Sequence, residues 1–250
     1  MNKALATVAA ALGVFLGGCS ALPDEPTRAV TEYGVSTEGR TITVHFLGDV
    51  GPSVLVIGGI HGSEPEGLGP ARTLVEMLRR EPMRARVVVI EDLNPDGSVA
   101  LMRHNARGVD LNRNWPASNF SASKARGPEP LSEVETRFGD DLLRRIEPEL
   151  VIVLHSIPTG PFVNHDGPAR DLAEIFAEAA DDADQRHLWD VRHEMGYDTP
   201  GSIGSYLGVD RGVATLTIEF GRGHDESDAT AALLAGFEAV VGEVIRRREK

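Results

Sequence analysis

The sequence predicts a single α/β domain built on a mixed, mostly parallel twisted sheet flanked by helices. Three observations carry this. Short β-branched runs alternate with amphipathic helical stretches along most of the chain. Two of those runs, RVVVI at 86–90 and LVIVL at 150–154, are apolar without alternation, as in strands covered on both faces. The chain has 250 residues, 41% hydrophobic and 25% charged, which suffices for one sizeable core and excludes a mostly disordered polymer. There is no internal repeat, low-complexity tract or second-domain boundary.

The elements follow in order. Residues 20–40, with Pro23 and Pro26, read as a tether of little structure. Thr41–Phe46 (TITVHF) and Ser53–Ile57 (SVLVI) are expected strands with a turn over Gly48 to Pro52, and Leu68–Arg80 has helical amphipathicity. Arg86–Ile90 is a buried strand, followed by Asn94-Pro95-Asp96-Gly97, a strong turn signal. Residues 103–130, rich in Asn, Gly, Pro and Ser, form a long loop. Leu131–Ile146 reads as a helix with a capping box from Ser132 to Glu135. Then come a central strand, Leu150–Leu154, and a helix, Arg170–Ala180. A short helix at Gly201–Leu207, a strand at Val213–Phe220 (VATLTIEF) and a closing helix at Ala229–Arg248 complete the chain.

The N-terminus carries a different signal. After Lys3, residues 4–18 (ALATVAAALGVFLGG) hold no charge, a run shorter than the roughly 20 residues of a spanning helix. It suits the apolar core of a secretory signal peptide. Leu16-Gly17-Gly18-Cys19 resembles the bacterial lipobox, in which the cysteine is lipidated and becomes the new N-terminus. The expectation is a lipoprotein signal peptide at 1–18, a lipidated N-terminus and tether at 19–40, and a catalytic domain at 41–250. Plain secretion is the alternative. A lipid on Cys19 would anchor the chain in the cell envelope, and Ser20, rather than Asp, after the cysteine resembles the sorting signal that implies the periplasmic face of the outer membrane in a Gram-negative cell. Cys19 is the only cysteine, so no intrachain disulfide and no Cys-rich zinc module can form. The formal charge of −13, from 25 basic against 38 acidic residues, argues against a nucleic-acid partner.

Four clusters at the ends of expected strands can carry chemistry, which is where open α/β sheets place ligands. In Gly58-Gly59-Ile60-His61-Gly62-Ser63-Glu64, an imidazole and a carboxylate on a Gly-rich turn can converge on Zn²⁺, although an exposed turn carries such a pair by chance too. His155 ends the Leu150–Leu154 strand and reads either as a satisfied core histidine or as a third ligand. As a ligand it completes a His₂Glu set with an open fourth position, the pattern of catalytic zinc. The loop from Arg103 to Pro116 carries three arginines and three asparagines, either solvated or suited to clamping a carboxylate and an oxyanion. Glu219, near the end of an apolar strand, is costly there unless paired, exposed or used.

Taken together, His61-x-x-Glu64, Asn94–Gly97, Gly108–Pro116 (GVDLNRNWP), His155-Ser156 and Glu219 resemble the zinc carboxypeptidase family. The resemblance runs from about Ser53 to Arg222, and within the family the chain looks most like the murein peptide amidases. These cleave the bond between γ-D-glutamate and meso-diaminopimelate in peptidoglycan peptides. It implies one Zn²⁺ per chain on His61, Glu64 and His155, with Glu219 as general base and acid. It implies Arg103 polarising the scissile carbonyl, Asn112 and Arg113 holding the substrate carboxylate, and Tyr197, or else Tyr206, as a substrate-side tyrosine. Ile203 falls near a position that sets side-chain preference. The expected partner is therefore a peptide derived from peptidoglycan. The alternatives are a general metallocarboxypeptidase, an N-acyl amino acid deacylase, and a non-catalytic lipoprotein that binds peptidoglycan peptides. His45, His104, His165, His187, His193 and His224 lie outside these motifs and are expected mostly at the surface. The pair His165-Asp166 and the acidic run Asp181-Asp182-Ala183-Asp184 are expected to be solvated.

Overall fold

The computed structural model describes residues 29–250. Cys19, the expected signal peptide and the first part of the expected tether lie outside the described residues.

The chain runs β1 (Val30–Val35), β2 (Thr41–Leu47), β3 (Ser53–Ile57), α1 (Leu68–Arg80), β4 (Arg86–Ile90), α2 (Pro95–Ala100), α3 (Val134–Ile146) and β5 (Leu150–Ile157). It continues through β6 (Phe162–Asp166), α4 (Arg170–Ala183), β7 (Asp190–Arg192), β8 (Ala214–Gly221) and α5 (Glu226–Arg248). The eight strands form one sheet in the order β1-β2-β4-β3-β5-β8-β6-β7. Pairs β3–β4, β3–β5, β5–β8 and β6–β7 are parallel, while β1–β2, β2–β4 and β6–β8 are antiparallel. This is the mixed, mostly parallel sheet expected.

Successive residues of β3, β4 and β5 enter opposite cores. Val54, Val56, Ile152 and Leu154 face a core made with α1, α4 and α5. Leu55, Ile57, Val151 and Val153 face the second core, which holds Leu142 and Leu143 of α3, Trp115 and Tyr206. All five residues of β3 are buried, which is why the run reads as apolar rather than alternating.

Several local expectations are corrected. The tether does not extend to residue 40, because Val30–Val35 pairs with β2 from Val30↔Phe46 to Val35↔Thr41. That hairpin is anchored by Asp96, whose carboxylate accepts from Ser36 Oγ at 2.7 Å, the Glu38 N–H at 2.9 Å and Arg40 Nη1 at 2.7 Å. Asn94–Gly97 is accordingly more than a turn. Asn94 caps α2 by accepting from the Gly97 N–H at 3.0 Å, and Pro95 sits at the first helical position. The capping box before α3 is absent. The helix begins at Val134, Ser132 donates to Glu133 at 2.8 Å, and Glu135 instead accepts from the Thr37 N–H at 2.8 Å and from Asn105 at 3.1 Å. Strands β6 and β7 escape the sequence pattern because they are short and β6 buries two polar residues, Asn164 and His165. The Gly201–Leu207 helix is a π-helical turn at Gly204–Val209. Helix α5 starts earlier than expected, capped by Asp225, which accepts from the Ser227 N–H at 3.0 Å.

Candidate active site

The site is built at the C-terminal ends of the three adjacent parallel strands β3, β5 and β8. His61 and Glu64 follow β3 on a tight loop that leads through a single 3₁₀ turn (Pro65–Gly67) into α1. Gly62 is required there. A Cβ at that position would lie 1.9 Å from the carbonyl carbon of Gly97, so the His61 loop and α2 can touch only through glycine. His155 lies in β5, directly in register with Glu219 of β8, so parallel pairing sets the two side chains side by side.

His61, Glu64 and His155 converge, all three buried, with ligand atoms within 4.8 Å of one another. Glu64 Oε2 lies 2.8 Å from His155 Nδ1 and Glu64 Oε1 lies 3.0 Å from His61 Nδ1. Among the described residues, the buried His61 Nδ1 nevertheless has no hydrogen-bond partner. Two imidazoles and a carboxylate gathered this closely, with one buried imidazole nitrogen left unpaired, suit three ligands of one ion. The set of two imidazoles and a carboxylate matches catalytic zinc. The opposite nitrogen of His61, Nε2, lies 2.8 Å from Asp110 Oδ1, the carboxylate contact that fixes ring orientation at metal sites. Asn112 Nδ2 lies 3.1 Å from His155 Nε2, and Asn112 Oδ1 accepts from the Ile203 N–H at 3.0 Å.

Electrostatics separate the two acids. Burial pushes Glu64 up, but the hydrogen bond with His155 and the close approach of the His61 ring outweigh it and hold its carboxyl well below the usual carboxylate range. Asp110 behaves likewise, burial being overcome by His61 and then by Arg103. Among the described residues, Glu219 has no such partner at hydrogen-bond distance. Burial lifts it from 4.5 to about 7, with the His155 charge opposing. A carboxyl that can both take and give a proton near neutrality is the profile of a general base and acid.

Arg103 donates through Nε to Asp110 at 2.9 Å and through Nη1 to Glu64 at 2.9 Å. Arg113 Nη1 donates to the Asn112 carbonyl at 2.7 Å. Arg103, Asn112, Arg113 and the half-exposed Tyr197 all line a cleft of about 750 Å³ together with the three candidate ligands and Glu219. The expected residues are therefore brought together, with two exceptions. Tyr206 is buried outside the cleft, donating to Asp140 at 2.9 Å and stacking on Trp115. Ile203 lies in the core beside Trp115 and Leu111, so its neighbours Ser202 and Gly204 form the wall instead.

The structure also adds residues. Asp110 stands inside the motif but supports His61 from behind. Arg222 donates to the Ser63 carbonyl and lies 3.7 Å from Glu64, and its signal was a cation just past an apolar strand. Asp166 is half-buried rather than fully solvated: it lines the cleft with Asn164 and Thr217, and burial pushes its carboxyl up against the pull of His193. Gly204 makes room for it, since a Cβ there would meet Asp166 Oδ2 at 2.2 Å. His45, His165 and His224 are buried, contrary to the surface placement expected.

Such a fold, with a His₂Glu cluster, a raised glutamate and paired arginines at the strand ends, defines a metal-dependent hydrolase of peptide or amide bonds. The family model for zinc carboxypeptidase matches residues 23–225, and the chain belongs to that family. It is 33% identical over 189 residues to murein peptide amidase A of Escherichia coli (strain K12), covering 67% of this chain and 71% of the relative. The crystal structure of a murein-tripeptide amidase from Escherichia coli O157 superposes with a TM-score of 0.71 at 29% identity, over 86% of this chain and 93% of that one. A carboxypeptidase A from Helicoverpa armigera shares the fold, with a TM-score of 0.72 at 20% identity over 89% and 68% of the two chains.

Proposed function

We propose that this hydrolase carries one catalytic zinc and cleaves the amide between γ-D-glutamate and meso-diaminopimelate in peptidoglycan peptides. The observation that carries the substrate is the chemistry of the cleft wall. Asn164, Asp166, Thr217 and Ser202 give a polar, acidic character to part of the cleft that Arg113 also lines. Diaminopimelate carries an ammonium and a carboxylate on its side chain as well as a terminal carboxylate. An acidic, hydrogen-bonding pocket suits that residue and disfavours the apolar C-terminal residues that an apolar pocket would select. The relatives named murein peptide amidase support the same reading.

His61, Glu64 and His155 would hold the zinc, and the orphaned His61 Nδ1 fits it. Zinc supplies Lewis acidity, polarising the scissile carbonyl and letting water ionise near neutral pH. Glu219 accepts the proton of the attacking water and delivers it to the departing amine of diaminopimelate. Arg103 donates to the carbonyl oxygen as charge builds there. Arg113 pairs with a carboxylate of the leaving residue, and Asn112 and Tyr197 border the same space, so the amide is presented in register. Asp110 keeps His61 turned toward the ion.

The reading also includes an envelope location, through a lipid on Cys19, which would set the enzyme beside its polymer. Its support is the lipobox-like Leu16–Cys19 alone. The substrate is tested by comparing kcat/KM on L-Ala-γ-D-Glu-meso-diaminopimelate, on dipeptides with apolar or basic C-terminal residues, and on N-acyl amino acids. At least a hundredfold preference for the first is expected. An equal or better rate on an ordinary dipeptide would assign a general carboxypeptidase, and on an N-acyl amino acid a deacylase.

A further inference from the structure

A second cluster of metal-ligating side chains lies away from the cleft, where the end of α4 meets the loop between β8 and α5. Asp184 caps the C-terminus of α4, His187 follows it, and His224 precedes α5. Their ligand atoms lie within 4.8 Å of one another. Asp184 is 2% exposed and the His224 side chain is fully enclosed, while His187 keeps one side toward solvent.

The geometry repeats that of the catalytic cluster. There, the two imidazole rings are 4.7 Å apart and tilted by 48°, and their Nδ1 atoms approach the Glu64 oxygens at 2.8 and 3.0 Å. Here, the rings of His187 and His224 are 4.2 Å apart and tilted by 53°. His224 Nε2 lies 2.9 Å from Asp184 Oδ2, and His187 Nδ1 lies 3.1 and 3.2 Å from the two Asp184 oxygens. As with His61, proximity is not a hydrogen bond: among the described residues, both buried ring nitrogens of His224 have no hydrogen-bond partner. A buried imidazole that reaches a carboxylate at 2.9 Å without pointing an N–H at it is oriented toward something both could share.

The carboxylate is also held as a ligand would be. Asp184 Oδ1 accepts from the backbone N–H groups of Arg186 at 3.1 Å and His187 at 3.2 Å, and Oδ2 accepts from Trp189 Nε1 at 3.1 Å. Such outer hydrogen bonds fix a ligating carboxylate in place. Two imidazoles and one carboxylate are a donor set for zinc and its neighbours rather than for Mg²⁺ or Ca²⁺, which demand oxygen shells.

We propose that Asp184, His187 and His224 form a second zinc-type site, structural in role, with water completing the shell on the open side of His187. The ion would staple the α4–β7 loop to the β8–α5 loop. Chain leaving this loop passes through β7 into 193–199, which includes Tyr197 and forms one wall of the cleft. The site therefore supports a wall of the active site without touching substrate, and it stands whether or not the catalytic assignment does.

The experiment is metal counting on the folded, full chain. Protein loaded with zinc and dialysed into metal-free buffer is analysed by inductively coupled plasma mass spectrometry, with circular dichroism checking the fold. Wild type is expected to hold two zinc ions per chain, His155→Ala one, His187→Ala one, and the double variant none. His187→Ala should keep its hydrolytic activity at moderate temperature and lose several degrees of zinc-dependent Tm. His155→Ala leaves the second cluster untouched, so its remaining zinc, and the visible absorption of Co²⁺ bound in its place, report that cluster without perturbing it. One zinc in wild type and none in His155→Ala would overturn the proposal and leave a hydrogen-bonded His–Asp–His knot. One zinc in wild type, retained in His155→Ala and lost in His187→Ala, would overturn the catalytic metal assignment and sustain this one.

Discussion

Replacing Glu219 by Gln separates chemistry from folding. Glu219 is 4% exposed, and its carboxyl is lifted from 4.5 to about 7, chiefly by burial. Raised in the folded state, it binds its proton more tightly there than in the unfolded chain. Its stabilising contribution is complete below 4.5 and is lost as pH climbs through about 7. At pH 8 the metal-free wild type therefore forgoes up to about 3 kcal/mol that a neutral side chain of the same shape would keep. Metal-free Glu219→Gln should match wild type near pH 4 and exceed it by up to about 3 kcal/mol at pH 8, read from urea denaturation at both values. With zinc present, kcat should fall by roughly 10²–10⁴ while the metal stays bound. Because a nearby dication favours the carboxylate, the acid limb of the wild-type kcat/KM profile should fall between 4.5 and about 7 and disappear in the variant. Parallel stability curves for the two proteins would show that the Glu219 carboxyl is not raised by burial, and near-normal turnover in Glu219→Gln would show that it is not the general base.

Three further outcomes follow from the same geometry. Asp110→Asn weakens the 2.8 Å contact that orients His61, and zinc affinity in a chelator competition should drop about 10- to 100-fold with the fold intact. Arg113→Ala removes a cation facing the substrate carboxylate, and kcat/KM on the tripeptide should fall at least about 100-fold, mostly through KM. Cys19→Ser should leave soluble activity unchanged, abolish incorporation of labelled fatty acid and release the protein from the membrane fraction; unaltered partitioning would remove the lipid anchor.

How much of this could be read beforehand varied with the range of the interactions. The ligand residues were legible because β3, β5 and β8 are apolar runs that end abruptly in His, Glu or a Gly-rich turn, and parallel strands gather such ends on one edge. The β5–β8 register that opposes His155 to Glu219 is a sheet-wide property, but both residues end the same kind of pattern. Asp166, by contrast, looked like a solvated partner of His165. Only the antiparallel pairing of β6 with β8, and the space left by Gly204, place it in the cleft. Asp184 sat in a run of acids whose polarity suggests solvent, yet the turn after α4 buries it against Trp189 and His224. Glu135 had a local reading as a capping residue, and a long-range bond from Thr37 claims it instead. Val30–Val35 looked like tether because an edge strand shows half its face to water, with Tyr33 66% exposed. In each case a non-local contact decided, and local pattern carries no record of it.

Whether the zinc-loaded protein cuts next to diaminopimelate is tested by mass-spectrometric identification of the products of L-Ala-γ-D-Glu-meso-diaminopimelate, alongside protein stripped by a chelator. L-Ala-D-Glu and free diaminopimelate are expected from the loaded protein, and intact tripeptide from the stripped one. Intact tripeptide in both, or release of L-alanine instead, would contradict that cleavage.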